Sequence, residues 1–197
     1  MQPRIDDGTD GREPTPALRP LKVSIRRATA ADAELLADLA RKIFIDTFGP
    51  QNTPENIALH VARMYAPDIQ RRELNSESKT YLVAEVDGQA AGFAMLGDCE
   101  SGSCREFDAP IELFRFYIDK PWHGFGIAQP LMDACDEEAR ARGGRTLCLS
   151  VWEHNSRARR FYDKIGFRDV GAQSFLLGED IQTDRVMVRE LVATGTR

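Results

Sequence analysis

Histidine and cysteine are scarce in this chain, and neither occurs in an arrangement that binds metal. His60, His123 and His154 are the only histidines among 197 residues, and Cys99, Cys104, Cys135 and Cys148 form no C-x-x-C pair. Zinc sites draw on paired ligands of that kind, so no metal is expected. No two histidines have the spacing of a metal pair or of a Ser-His-Asp triad, and the thiols read as free and mostly buried. Long apolar runs are also missing. Nothing approaches the roughly 18 residues of a membrane span, and the N-terminus lacks the continuous apolar core of a secretory signal. The expectation is a cytoplasmic protein with no membrane partner. Positive charge is in deficit, with 26 Lys and Arg against 31 Asp and Glu for a formal charge of −5. Neutralising phosphates takes clustered basic residues, so no nucleic-acid partner is expected; the balance suits a cationic substrate. No internal repeat is visible.

What is present points to one folded domain. An apolar content of 42% over 197 residues is adequate for a core that buries about two-thirds of the unfolded chain's surface. Residues 1–20 carry Pro3, Pro14, Pro16 and Pro20 amid Asp and Gly, a composition that cannot bury enough surface to order itself. They read as a disordered tail ahead of a single domain over 21–197. Val23-Ser24-Ile25-Arg26 alternates like a strand, and Thr29 with Asp32 makes a variant of the helix capping box. The following helix buries Leu35, Leu36, Leu39, Ala40 and Ile43 and runs to about Phe44. Helices follow from Pro54 to Tyr65 and from Asp68 to Leu74. Tyr81 to Val86, Asp87-Gly88 and Gln89 to Leu96 read as a hairpin with a tight turn. Strands are expected at Ile111–Ile118, Thr146–Trp152, Phe167–Val170 and Asp184–Leu191. Helices are expected at Gln129–Arg142, ended by Gly143-Gly144, and at Ser156–Ile165, stopped by Gly166. The result is a mixed α/β sheet.

The most informative segment is His123-Gly124-Phe125-Gly126-Ile127-Ala128. It lies between the apolar strand ending at Ile118 and the helix that opens at Gln129. Glycines let the backbone turn tightly and bring N–H groups close to an anion, and the helix N-terminus adds roughly half a positive charge. The ligand such a loop suits is a pyrophosphate; read alone, the hexapeptide is equally an ordinary tight turn. Further on the chain reads Asn155-Ser156-Arg157-Ala158-Arg159-Arg160-Phe161-Tyr162-Asp163-Lys164-Ile165-Gly166-Phe167. Arg157, Arg159 and Arg160 are either a solvated helix face or neighbours of bound phosphates, which spacing cannot separate.

Together these two segments resemble the GCN5-related N-acetyltransferase (GNAT) superfamily. Its cofactor motif is Gln or Arg, two residues, Gly, one residue, then Gly or Ala; His123, Gly126 and Ala128 hold those places, with the histidine a departure. Asn155 followed seven residues later by Tyr162, ahead of Gly166-Phe167, matches its second landmark. Phe48-Gly49-Pro50, Pro121-Trp122-His123-Gly124, Val151-Trp152-Glu153 and Leu177 to Asp184 resemble a bacterial branch that includes spermidine and spermine N-acetyltransferases. The likeness runs from about Val23 to Leu191. It implies the GNAT fold, a mostly antiparallel twisted sheet whose splayed strands bind CoA, with acetyl-CoA as cosubstrate and a small-molecule amine as acceptor.

The resemblance also implies roles. Backbone amides from Gly124, Phe125, Gly126, Ile127, Ala128 and Gln129, with His123 ahead of them, would hold the pyrophosphate. The strand edge at Phe116, Tyr117 and Ile118 would pair with the pantetheine arm as an added strand, and a backbone N–H near Phe116 or Tyr117 would face the developing oxyanion. Asn155 and Arg157 would help fix the cofactor. Tyr162 is the expected general acid, because a phenol with a pKa of about 10 is protonated at neutral pH; on helical spacing alone it is a core aromatic. Glu112 sits in an otherwise apolar strand where several superfamily members carry their base; the alternatives are a solvent-facing position or a water chain doing that task, and Ser150 occupies another common base position. Asp46, Glu55, Glu153, Asp180 and Asp184 are the acidic candidates for meeting an ammonium group; most such residues are merely solvated, and only Asp46 and Glu153 are placed to meet a substrate cation. A protein N-terminus or lysine acceptor would favour an open groove, a small amine a pocket closed by Phe48 to Tyr65. A non-catalytic CoA-binding sensor is the third reading. The stretches Ser174 to Leu177 and Val186 to Val188 would either pair across the two-fold axis of a homodimer or form one sheet's core.

Overall fold

The computed structural model describes residues 21–192. The tail expected over 1–20 lies outside them, as do residues 193–197. The described chain runs β1 (Val23–Arg27), α1 (Ala33–Phe48), α2 (Pro54–Met64), α3 (Pro67–Leu74), β2 (Lys79–Val86), β3 (Gln89–Asp98), β4 (Pro110–Ile118), α4 (Ala128–Ala141), β5 (Thr146–Trp152), α5 (Ser156–Lys164), β6 (Arg168–Leu177) and β7 (Asp180–Glu190). The strands form one mixed sheet in the order β1-β2-β3-β4-β5-β7-β6. Only β4 and β5 pair in parallel; every other neighbour is antiparallel. No helix among the described residues is long and apolar enough to cross a membrane.

Local chemistry explains most element ends. The Asp32 carboxylate accepts from the Thr29 backbone N–H at 2.8 Å ahead of α1. Thr53 caps α2 by accepting from the Asn56 amide at 3.3 Å, and Pro54 begins the helix. Asp87 and Gly88 take φ of 50° and 82°, the positive angles that a two-residue hairpin turn requires. Three elements outrun their sequence signal by about a turn or more of chain. α1 continues one turn past Phe44, because Phe48 packs on the Phe44 ring at 4.6 Å while Ile45, Asp46 and Thr47 face solvent. β6 reaches Leu177 instead of Val170, and β7 begins at Asp180 instead of Asp184, so the two form one long hairpin. A register shift between Asp169 and Gly171 and a run of alternating exposed residues hide its length in the sequence.

The sheet separates two apolar layers, since successive side chains of a strand point to opposite faces. α4 and α5 cover one face through Leu131, Met132 and Tyr162, joined by Phe167 just past α5, against Leu147 and Met187. α1 and α2 cover the other, packing Leu36, Ile43, Phe44 and Ile57 on Tyr81, Val83 and Phe93. Leu177 is buried in this second layer and Phe175 packs against it, which places the apolar C-terminal stretch within the chain's own sheet. Cys104, Cys135 and Cys148 are buried and all four thiols are free.

Candidate active site

The parallel pairing of β4 with β5 ends at Leu113 opposite Leu149. Beyond that point β4 stays on β3 as far as Ile118 opposite Gly92, while β5 stays on β7 as far as Trp152 opposite Asp184. The two strands therefore part, and the β4 edge beyond Leu113 is left without a partner strand. A register shift at Met95 and Leu96 makes Phe114 an extra residue in β4, and such a bulge bends a strand and re-aims its side chains. The parting opens a cleft of about 760 Å³ lined from both layers.

One end of the cleft is built by the glycine turn. Gly124 and Gly126 have φ of 89° and 75°, a region where L side chains are strained. Their conformation exposes backbone ahead of α4. Among the described residues, the amides of Gly124, Gly126, Ile127, Ala128 and Gln129 donate no backbone hydrogen bond; the helix begins its ladder with Leu131 to Ile127 at 3.2 Å. Unpaired amides at a helix N-terminus are the donors an anion needs, so the turn fits a diphosphate. His123 braces it. Its Nε2 bonds the Ile118 carbonyl at 2.9 Å and its Nδ1 meets the Arg157 guanidinium. A carbonyl only accepts and a guanidinium only donates, so the two contacts suit the tautomer that carries its proton on Nε2. Arg157 is thereby held at the cleft, whereas Arg159 reaches the Glu153 carbonyl at 3.1 Å. Phe125 stands outside the lining; it is 54% exposed and its ring lies 6.0 Å from that of Trp122. Asn155 lines the cleft and spends its Oδ1 on the Ala158 amide at 3.1 Å, capping α5.

Tyr162, Phe116, Tyr117 and Ile118 all line the cleft. Tyr162 is buried against Phe116 and Phe167, with ring centroids at 6.3 and 5.5 Å, and burial pushes its phenol above the ordinary value. The Tyr117 hydroxyl lies 3.3 Å from that of Tyr65, and burial raises both.

The other end of the cleft is closed by helices. Gly178, at the β6–β7 turn, sits so close to α2 that an added Cβ would lie 2.5 Å from Asn56 Oδ1. The Glu179 amide donates to that same oxygen at 2.9 Å, and Gln182 donates to Asn52 at 2.6 Å. Phe48 meets Trp152 edge-on at 5.8 Å. Burial and the nearby cations Arg115 and Arg63 hold His60 down to about 4, so it is neutral. Arg115 is 4% exposed, pairs with Glu73 at 2.7 Å and lies 5.2 Å from the Tyr65 ring centroid.

Several acidic residues differ from expectation. Asp46 is exposed, 3.5 Å from Lys42, and neither it nor Glu153 lines the cleft. Glu112 lines it, but its Oε2 accepts from the Glu100 and Ser101 amides, each at 2.9 Å. Ser150 Oγ accepts from Gln173 at 2.7 Å. Asp184, placed behind Asp46 and Glu153 in the sequence reading, lines the cleft, and its Oδ1 is buried without a hydrogen-bond partner among the described residues. Desolvation, helped by the Glu153 charge, lifts it to about 6.

The acetyltransferase (GNAT) domain profile matches residues 49–177, which span β4, the glycine turn and α5. The chain belongs to the GNAT acetyltransferases. An uncharacterized N-acetyltransferase of Lactobacillus delbrueckii subsp. lactis is 30% identical over 86% of this chain and 98% of its own length. One of Mycobacterium tuberculosis is 35% identical over 82% and 99%. A spermine/spermidine N(1)-acetyltransferase of Bacillus subtilis is 29% identical over 53% of this chain and 66% of its own. The PaiA N-acetyltransferase of Thermoplasma acidophilum, solved with coenzyme A, has the same fold, with a TM-score of 0.72 at 21% identity over 86% of this chain and 99% of that one. This GNAT enzyme therefore uses acetyl-CoA, and the unpartnered amides of its glycine turn suit that cosubstrate.

Proposed function

We propose that this GNAT enzyme transfers acetyl from acetyl-CoA to a primary amine of a small molecule. The closed acceptor end carries the reading: the β6–β7 turn is docked on α2 through Asn56, Gln182 of β7 reaches Asn52 just ahead of α2, and Phe48 abuts Trp152. An extended peptide segment needs an open groove, and this end is walled by helix and hairpin instead. A polyamine is the most concrete acceptor, supported by the resemblance of Leu177 to Asp184 and by the name of the Bacillus relative. The four free cysteines suit the reducing cytoplasm.

In the proposed chemistry the amides of the turn from Gly124 to Gln129 hold the diphosphate, with His123 bracing the turn and Arg157 beside it. Acetyl-CoA supplies a thioester activated for attack by nitrogen. The β4 edge at Phe116 to Ile118 binds the pantetheine arm, and an amide near Phe116 or Tyr117 faces the carbonyl oxygen as it gains charge. Asn155, by capping α5, sets the helix that carries Tyr162. Tyr162 donates its hydroxyl proton to the leaving sulfur, and its raised phenol is fully protonated at neutral pH. Two carboxylates of the acceptor face, Glu112 and Asp184, compete for the amine's proton.

The test is thiol release by the purified protein with acetyl-CoA and a panel of spermidine, spermine, aminoglycosides, amino acids and a lysine peptide. Turnover on a small amine is expected, and Tyr162→Phe should lower it by about 10²- to 10⁴-fold with acetyl-CoA binding intact. Turnover on the peptide alone would overturn the small-molecule reading; acetyl-CoA binding without turnover on anything would favour a CoA-binding sensor.

A further inference from the structure

Glu112 and Asp184 differ in what they already do. The Glu112 carboxylate holds the chain after β3 through the Glu100 and Ser101 amides, both of which donate to its Oε2. Asp184 is 7% exposed, faces the cleft, and has a buried oxygen with no partner among the described residues. Burying a carboxylate without a partner is unfavourable, and the natural occupant for such a position is a cation brought by the substrate.

Its surroundings agree. Asp184 lies opposite Trp152, the last residue of β5 to pair with β7, and opposite Gln173 on β6. Around it are the Tyr117 phenol of β4, Glu153 just past β5, and Trp152 with Phe48 of α1 against it, while the neutral His60 of α2 lines the same cleft. Arg115, a cation that also lines the cleft, is committed to Glu73. Phe48 and Trp152 add ring faces, which attract ammonium groups.

We propose that Asp184 is a catalytic residue that binds the acceptor's ammonium group and takes a proton from it. This rests on the transferase reading above. One N–H bond of the ammonium breaks and its proton passes to the Asp184 carboxylate. The freed lone pair forms the C–N bond to the acetyl carbon while the C–S bond breaks, and sulfur takes the Tyr162 proton. The nitrogen's second proton restores Tyr162, and Asp184 returns its own to water. An acid lifted by desolvation to about 6 is matched to that task near neutral pH.

The test compares kcat/KM against pH for the wild type, Asp184→Asn and Glu112→Gln, using the panel amine that turns over fastest, with calorimetric binding of the panel amines to the CoA-saturated proteins. The wild type should lose kcat/KM below about pH 6 and hold a plateau above it, because it binds the ammonium form. Asp184→Asn should fall at least a hundredfold at neutral pH, lose that limb, and gain activity about tenfold per pH unit towards the amine's own pKa near 10. Glu112→Gln should keep the limb. An unchanged profile in Asp184→Asn, or loss of the limb in Glu112→Gln alone, would overturn the assignment, as would equal amine binding by the wild type and Asp184→Asn or no binding of any panel amine. Wild type that binds amines at least tenfold more tightly than Asp184→Asn, yet never turns over, would support Asp184 and sink the transferase reading instead.

Discussion

A carboxylate kept for its substrate should weaken the fold that holds it, and Asp184 makes this measurable. Its pKa is raised from an ordinary 3.8 to about 6, first by desolvation and then by Glu153. The folded protein therefore binds this proton more tightly than the unfolded chain does. The sign follows: stability associated with Asp184 is greatest below about pH 4, is lost as pH rises through the window from 3.8 to about 6, and stays lost above it. At about 1.36 kcal/mol per tenfold change in acidity, the upper bound is about 3 kcal/mol. Because the residue borders a cleft that water enters, we expect about 1–3 kcal/mol. Asp184→Asn removes the charge at constant shape, so at about pH 8 it should be the more stable protein by that amount, with Tm higher by roughly 2–4 °C per kcal/mol for a domain of this size. Urea unfolding of both proteins from about pH 4 to 8 is the assay. The advantage of the variant should grow between about pH 4 and 6 and then level. A difference that stays flat across that range would refute the account of Asp184 as an unpartnered buried carboxylate, whatever its part in transfer.

Two further predictions concern the ends of the cleft. Gly126→Ala forces an L side chain into φ of 75°, a strain of about 1–2 kcal/mol; calorimetry should show acetyl-CoA binding at least tenfold weaker while the amine still binds. Glu73→Ala removes the carboxylate that pairs with Arg115, which is 4% exposed. Leaving that charge buried should lower unfolding free energy by about 3–5 kcal/mol, seen as a lower urea midpoint; Arg115 also donates to Gln70 Oε1 and the Tyr81 hydroxyl, and a near-neutral result would mean that these two suffice to hold the guanidinium.

Most local decisions in this chain are written in adjacent residues. The Asp87-Gly88 turn, the Thr53-Pro54 start of α2, the glycine turn before α4 and the Asn155 cap of α5 each depend on a few neighbours, so their signals survive without tertiary context. The same holds for the spacing of Asn155 and Tyr162 that marks the family. What only the tertiary structure decided depends on residues far apart in the chain. The parting of β4 and β5 arises because each keeps a different antiparallel partner, β3 and β7, beyond Leu113 and Leu149. Glu112 stands between apolar neighbours at a position where the resemblance implies a base, whereas the two loop amides of Glu100 and Ser101 that donate to its Oε2 are visible only in the fold. Asp184 reads as one more solvated acid in the sequence, and its Oδ1 is left without a partner among the described residues only once β7 sets it opposite Trp152 in the cleft. Hydrogen bonding to a local neighbour can be read from spacing, whereas desolvation is the sum of everything packed around a group, and that sum exists only in the folded chain.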